Sequence, residues 1–405
     1  MSRKLNFRIS IFLVFVALIS SLFFGCDSAE NINPAGPENH ERGEIDQLSN
    51  IGNLDLDDIQ QILGEANIPS PFTLQYPVKA LSVRYYTIDD KGSETRVSGA
   101  LYVPQNVDNL PLVSIQHGTE TKRDLVASVS PTNSVEGHVG LIMASMGYLV
   151  VIPDYPGFGV STIKHPYMHA ESIIPSIIDL MRAGVTYCLE NQVTLDGRTF
   201  LTGYSEGGYL SLLTQKTIEE EYASEFGLTA VAPSSGPYDL EGMMQTIFQS
   251  TSYSTPAYLA YFLTAYNEIY NWNRLDDFFN EPYENLVSTL FDGSQTWGEI
   301  LYQLPSTFSA LVDSTFIANV NNGNEEDFLT ALQENTILNW SPQTPIHFFH
   351  GDADEIVPIQ NVYTAMFDLT QAGAIDIQLT VIPDGTHQSS GPAAILGTIE
   401  WFETF

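Results

Sequence analysis

From residue 83 onward, short continuous apolar runs alternate with longer stretches in which apolar positions recur at helical spacing. The runs at 83–88 and 96–103 are rich in β-branched and aromatic residues and flank Asp89-Asp90-Lys91-Gly92, a turn sequence that joins them as a hairpin. Two further runs, 112–116 and 148–152, read as buried strands with a helix over 139–146 between them. Helical patterning then covers 172–190, followed by a strand at 199–202 and a helix over 207–216. Strands follow at 228–232, 346–349 and 377–382, with helices near 362–372 and 393–402. Strands that are apolar throughout need cover on both faces, so the alternation predicts an α/β fold: a mostly parallel central sheet with helices on both sides.

One long segment breaks this rhythm. Residues from about 238 to 340 are aromatic and helical in pattern, and they separate two strand-helix blocks. They predict a helical cap inserted over the carboxyl edge of the sheet, within one domain spanning 71–405. Tyr258, Phe262, Tyr266 and Tyr270 recur every four residues and therefore share a helix face. That face has two readings, the core of the cap or an apolar wall against an acyl or aryl group; the second makes Tyr258 and Phe262 substrate-pocket candidates.

Composition adds what the pattern cannot. The 405 residues are 43% hydrophobic and 11% aromatic, enough to bury a large core, so the chain is not of the disordered class. Fifteen Lys plus Arg against 49 Asp plus Glu give a formal charge of −34. A field of that sign repels phosphate backbones and excludes nucleic acid as an expected partner. It suits the surface of a protein working outside the cytoplasm.

The first 25 residues carry Arg3, Lys4 and Arg8 ahead of an apolar stretch over 9–24, the parts of a signal peptide. Leu22-Phe23-Phe24-Gly25-Cys26 resembles the lipobox of bacterial lipoproteins, although two phenylalanines are bulkier than the usual pattern. The resemblance implies lipidation at Cys26 and a mature protein held at the cell envelope, with no other membrane contact expected. Residues 26–70 are polar with scattered Pro and Gly and read as a flexible tether, holding at most a short helix over 54–63. Cys188, the second of two cysteines, sits in an apolar helical context and reads as a buried thiol.

The strongest chemical signal is Gly203-Tyr204-Ser205-Glu206-Gly207-Gly208, placed between the strand at 199–202 and the helix at 207–216. In that position the serine occupies a tight turn that lifts its hydroxyl out of the sheet, and Gly203 and Gly207 leave room where side chains would clash. A serine hydroxyl needs a base, and the base needs an orienting acid. His350-Gly351-Asp352-Ala353-Asp354 follows the strand at 346–349, which brings its carboxylates to the same sheet edge; Asp354 is the candidate acid and Asp352 the alternative. His387 follows the strand at 377–382 and is the candidate base, while His347 and His350 read as structural. The oxyanion of an acyl-transfer intermediate needs two backbone N–H donors. Glu206, directly after the serine, and Thr119, in the loop after the strand at 112–116, are the candidates. Tyr204, beside the serine, joins Tyr258 and Phe262 as a pocket candidate.

With these residues in place, the chain from about residue 80 to its end resembles bacterial α/β-hydrolase esterases and lipases related to the secretory lipase family. His117-Gly118-Thr119, Pro153-Asp154-Tyr155-Pro156-Gly157-Phe158-Gly159, His165-Pro166-Tyr167, the serine turn and the segment 350–358 carry the resemblance. It implies the α/β-hydrolase fold and an exported serine hydrolase cleaving a small carboxylic ester through an acyl-enzyme. No cofactor and no metal are expected. A serine exopeptidase using the same residues is the alternative, and a binding lipoprotein without turnover is a third reading.

Overall fold

The computed structural model describes residues 40–68, 71–250 and 252–405. The expected signal segment 1–25, Cys26 and the tether up to residue 39 lie outside the described residues.

In chain order the elements are β1 (Ile45–Leu54), α1 (Leu56–Glu65), β2 (Val78–Ile88), β3 (Glu94–Pro104), β4 (Leu110–Gln116), α2 (Val135–Ser145), β5 (Leu149–Pro153), α3 (Ala170–Glu190), β6 (Leu195–Tyr204), α4 (Glu206–Thr217) and β7 (Leu228–Ser234). Eight helices then intervene: α5 (Leu240–Ser250), α6 (Pro256–Ile269), α7 (Leu275–Phe278), α8 (Tyr283–Leu290), α9 (Trp297–Gln303), α10 (Phe308–Leu311), α11 (Ser314–Asn321) and α12 (Glu326–Glu334). The chain returns to the sheet as β8 (Ile346–Gly351), α13 (Gln360–Ala372), β9 (Ile377–Ile382) and α14 (Gly391–Phe402).

The strands form one sheet in the order β1-β2-β3-β5-β4-β6-β7-β8-β9. From β5 to β9 all neighbours are parallel; β1, β2 and β3 add an antiparallel edge. Successive residues of a strand point to opposite faces, and the core divides accordingly. Leu112, Val151, Leu201, Val231 and Phe348 pack with α3, α4, α13 and the inserted helices, whereas Val113, Val150, Phe200, Ala232 and Phe349 pack against α1, α2 and α14. Each Val, Leu or Phe among them, fully buried, contributes about 1.5–3 kcal/mol. This is the α/β-hydrolase fold, with a helical insertion between β7 and β8.

The tether expected over 26–70 is corrected for the part described. Residues 45–54 are an edge strand, paired antiparallel with β2 from Ile45 opposite Tyr85 to Leu54 opposite Val78. Asp55 caps α1 through a reciprocal pair with Asp58, and Ile59 and Leu63 anchor the helix in the core. The polar composition of β1 hid it, because an edge strand of mostly half-buried residues is held by main-chain bonds to its neighbour and needs little apolar alternation of its own.

Candidate active site

The turn between β6 and α4 holds Ser205 at φ 59° and ψ −119°, a region that non-glycine residues seldom occupy and that costs on the order of 1–3 kcal/mol. Crowding fixes the residues around it. A Cβ on Gly207 would lie 2.0 Å from the carbonyl oxygen of Gln116, and one on Gly203 would lie 2.3 Å from that of Gly207. The main chain of Ser205 is tied to β7 by its N–H, which donates to Ser234 O at 2.9 Å.

Two loops at the same sheet edge supply the partners. His387, after β9, has Nε2 2.9 Å from Ser205 Oγ and Nδ1 2.7 Å from Asp354 Oδ2. Asp354, after β8, accepts main-chain N–H groups of Ile356 and Val357 on Oδ1 at 3.0 and 2.8 Å, which leaves Oδ2 aimed at the imidazole. Both His387 and Asp354 are buried. A carboxylate placed in this way can hold Nδ1 protonated and leave Nε2 able to accept a proton from the serine. Asp352, the alternative acid, is exposed. His350 donates from Nε2 to Val357 O at 2.8 Å and holds the acid loop; burial lowers its pKa. His347 meets Thr380 Oγ1 at 2.9 Å on the sheet surface.

Glu206 opens α4 directly after Ser205, and a first-turn N–H there has no acceptor within the helix. Across from it runs the loop 117–120, close enough to β6 that a Cβ on Gly118 would lie 3.2 Å from Tyr204 O. The N–H of Gly118 is already committed to Glu136 Oε1 at 3.0 Å. Thr119 therefore carries the next N–H of this loop, and its hydroxyl is fixed 2.9 Å from Tyr167 Oη. His117 and Asp154 are buried supports: His117 Nε2 lies 3.1 Å from Asp154 O, and the Asp154 carboxyl accepts from Ser98 and Ser128 while burial raises its pKa.

Over Ser205 and Glu206 lies a pocket of about 40 Å³, room for about three water molecules or a short acyl group. Tyr258 and Phe262 of α6 line it, as do Met243, Met244 and Ile247 of α5 and the Ile356-Val357 pair that follows the acid. Burial pushes the Tyr258 phenol up to about 12, so it remains a neutral wall. The other two members of the aromatic face, Tyr266 and Tyr270, instead bond Met168 O and Glu334 within the cap structure. Tyr204 is corrected as a pocket candidate. It does not line the pocket, and its hydroxyl donates to the main-chain oxygen of His387 at 2.6 Å, so it buttresses that residue. The methionines of α5 lie beyond the pocket candidates named from the sequence; Met243-Met244 on an apolar helix stripe is the sequence sign of an adaptable wall. Glu136 carried no sign at all, since it stands 18 residues from the N–H it holds.

The family model for secretory lipases matches residues 131–404. Lipase 1 of Candida albicans is 23% identical over 298 residues, which cover 68% of this chain; the chain spans 60% of that relative's length. Among solved structures, the rice cell wall degrading esterase LipA from Xanthomonas oryzae superposes with a TM-score of 0.79 at 28% identity, covering 89% of this chain and 96% of that one. Candida antarctica lipase A in its closed state shares the fold at TM-score 0.66 and 16% identity, covering 88% and 83%. The chain belongs to the secretory lipase family.

Proposed function

We propose that this member of the secretory lipase family is a serine carboxylic-ester hydrolase working through an acyl-enzyme. The observation that carries the reading is the linked pair of contacts Ser205 Oγ to His387 Nε2 and His387 Nδ1 to Asp354 Oδ2. His387 takes the serine proton as Oγ attacks the ester carbonyl, and Asp354 stabilises the imidazolium that forms. The N–H groups of Glu206 and Thr119 receive the oxyanion. His387 returns its proton to the alcohol oxygen as it leaves, then deprotonates the water that frees the acid and Ser205. Tyr258, Phe262 and the α5 side chains enclose the acyl group, and the small pocket favours short chains over long ones. Family membership supports an exported protein, and lipidation at Cys26 would hold it at the envelope, facing small ester substrates and not nucleic acid.

The test combines labelling and turnover. The mature protein and Ser205→Ala are treated with a fluorophosphonate probe, then assayed on p-nitrophenyl acetate, butyrate and decanoate beside an aminoacyl p-nitroanilide. Ser205-dependent labelling with ester turnover above anilide turnover is expected. Preference for the anilide would move the protein to the peptidases. A folded protein without Ser205-dependent labelling would defeat the reading.

A further inference from the structure

A buried pair of titratable groups lies directly against the nucleophile and has no part in the proton transfers above. Glu206, whose N–H is the oxyanion donor beside Ser205, is buried, with Oε1 2.9 Å from His165 Nε2. The two side chains are 0% and 2% exposed. The other ring nitrogen of His165 lies 2.8 Å from Pro156 O. A carbonyl oxygen only accepts, so Nδ1 carries a hydrogen, and the contact between Nε2 and Oε1 then needs one further proton. On the imidazole the result is an ion pair, and on the carboxyl a neutral pair. Either way the two groups together carry no net charge. Glu206 Oε2 is buried and has no hydrogen-bond partner among the described residues, so the contact with His165 is what compensates this carboxyl.

Position makes that neutrality matter. The N-terminus of α4 is favourable ground for negative charge, and the oxyanion of the acyl-transfer step forms there. An uncompensated carboxylate on Glu206 would compete for the same helix end and repel the developing charge across a water-poor site. From this geometry we infer that His165 is a positioning residue for ester hydrolysis: by sharing a proton with Glu206 it neutralises the carboxyl beside the oxyanion and fixes the first turn of α4. The inference rests on the esterase reading above.

Among the described residues no other group pairs with the Glu206 carboxyl. Tyr155, Tyr167, Tyr209, Tyr258 and Tyr261 face Glu206, and burial raises all five phenols, so they stay uncharged. His117 stacks on the ring of Tyr155 at 3.9 Å, opposite His165 at 5.9 Å. Beyond Tyr261, which bonds Glu120 O, stands Glu120 with its carboxyl raised by burial; Glu136 is engaged by Gly118. His387 and Asp354 lie across Ser205.

The experiment is a charge-removal cycle. Wild type, H165A, E206Q and H165A/E206Q are assayed on p-nitrophenyl acetate from about pH 6 to about pH 9, each rate divided by the wild-type rate at the same pH. In H165A the carboxyl loses the group that shares its proton and is left uncompensated beside the developing oxyanion. The relative kcat of H165A is expected to fall by about tenfold or more, with KM little changed. The double variant, lacking the carboxyl, should exceed H165A across the range. Parallel profiles of equal height for H165A and H165A/E206Q would overturn the inference, because loss of packing alone lowers both together. If H165A does not fold, H165Q, which keeps an amide donor toward Glu206 without a proton to share, is compared with H165Q/E206Q by the same ratio. Wild-type turnover and Ser205-dependent labelling are measured first: their absence defeats the esterase reading, and their presence with parallel profiles of equal height defeats this inference alone.

Discussion

The main-chain N–H of Gly118 donates to the carboxylate of Glu136 at 3.0 Å, a bond between the loop after β4 and the first turn of α2. That donor is occupied, so the proposed oxyanion site takes its second N–H from Thr119, in the loop that the Glu136 carboxylate holds. Glu136→Ala should lower kcat for p-nitrophenyl acetate by about 10- to 100-fold with a smaller change in KM. Glu136→Gln, which keeps a carbonyl acceptor, should retain most of the rate. Equal losses in both variants would show that the acceptor is not what matters.

Ser205→Ala should abolish labelling and cost at least about 10⁴-fold in kcat while leaving thermal unfolding nearly unchanged. Asp354→Asn should cost about 10⁴-fold, since an amide no longer selects the tautomer that places a free lone pair on Nε2. Steady-state kinetics beside a calorimetric scan check both.

Gly207→Ala should fail for a different reason. Its Cβ would lie 2.0 Å from Gln116 O, a main-chain atom that cannot rotate away. A loss of at least about 4 kcal/mol in stability, or no soluble protein, is expected. A stable Gly207→Ala protein in urea unfolding would contradict the packing described for the turn.

The pocket over Ser205 predicts a chain-length order of acetate and butyrate above decanoate. Phe262 is 1% exposed and reaches that pocket from α6. Phe262→Ala should raise the decanoate-to-acetate ratio of kcat/KM about tenfold while costing about 3–5 kcal/mol in stability. Met244→Ala should move the ratio the same way at smaller cost. An unchanged ratio in both would mean that acyl groups bind elsewhere.

Stability should decline on mild acidification. Burial lowers the pKa of His350 in the fold, where Nδ1 has no hydrogen-bond partner among the described residues and Nε2 donates to Val357 O. The unfolded chain gains a proton near the ordinary value of about 6.5 that the folded protein resists. The contribution is therefore complete above that pH and is lost as pH falls below it, by at most about 1.4 kcal/mol per pH unit. Burial lowers His169 and His347 in the same direction. A lower Tm at about pH 5.5 than at about pH 7.5, with a smaller difference in His350→Gln, is the expected result.

The sequence by itself determined the parallel sheet, the insertion between β7 and β8, and the residues that meet at the sheet edge. These features are written locally: continuous apolar runs, helical spacing, and a Gly-x-Ser-x-Gly turn set between a strand pattern and a helix pattern. The carboxyl ends of parallel strands share one edge, so residues just after β6, β8 and β9 had to come together once the sheet was read. Tertiary structure alone decided the rest. It placed β1 on the sheet through main-chain bonds that leave no side-chain pattern, and bonded Tyr204 to the main chain of His387 instead of lining the pocket with it. It also brought Glu136 to Gly118 and His165 to Glu206, partners far apart in the chain. Such contacts depend on where loops cross, and a loop's path is set by the packing of everything beneath it.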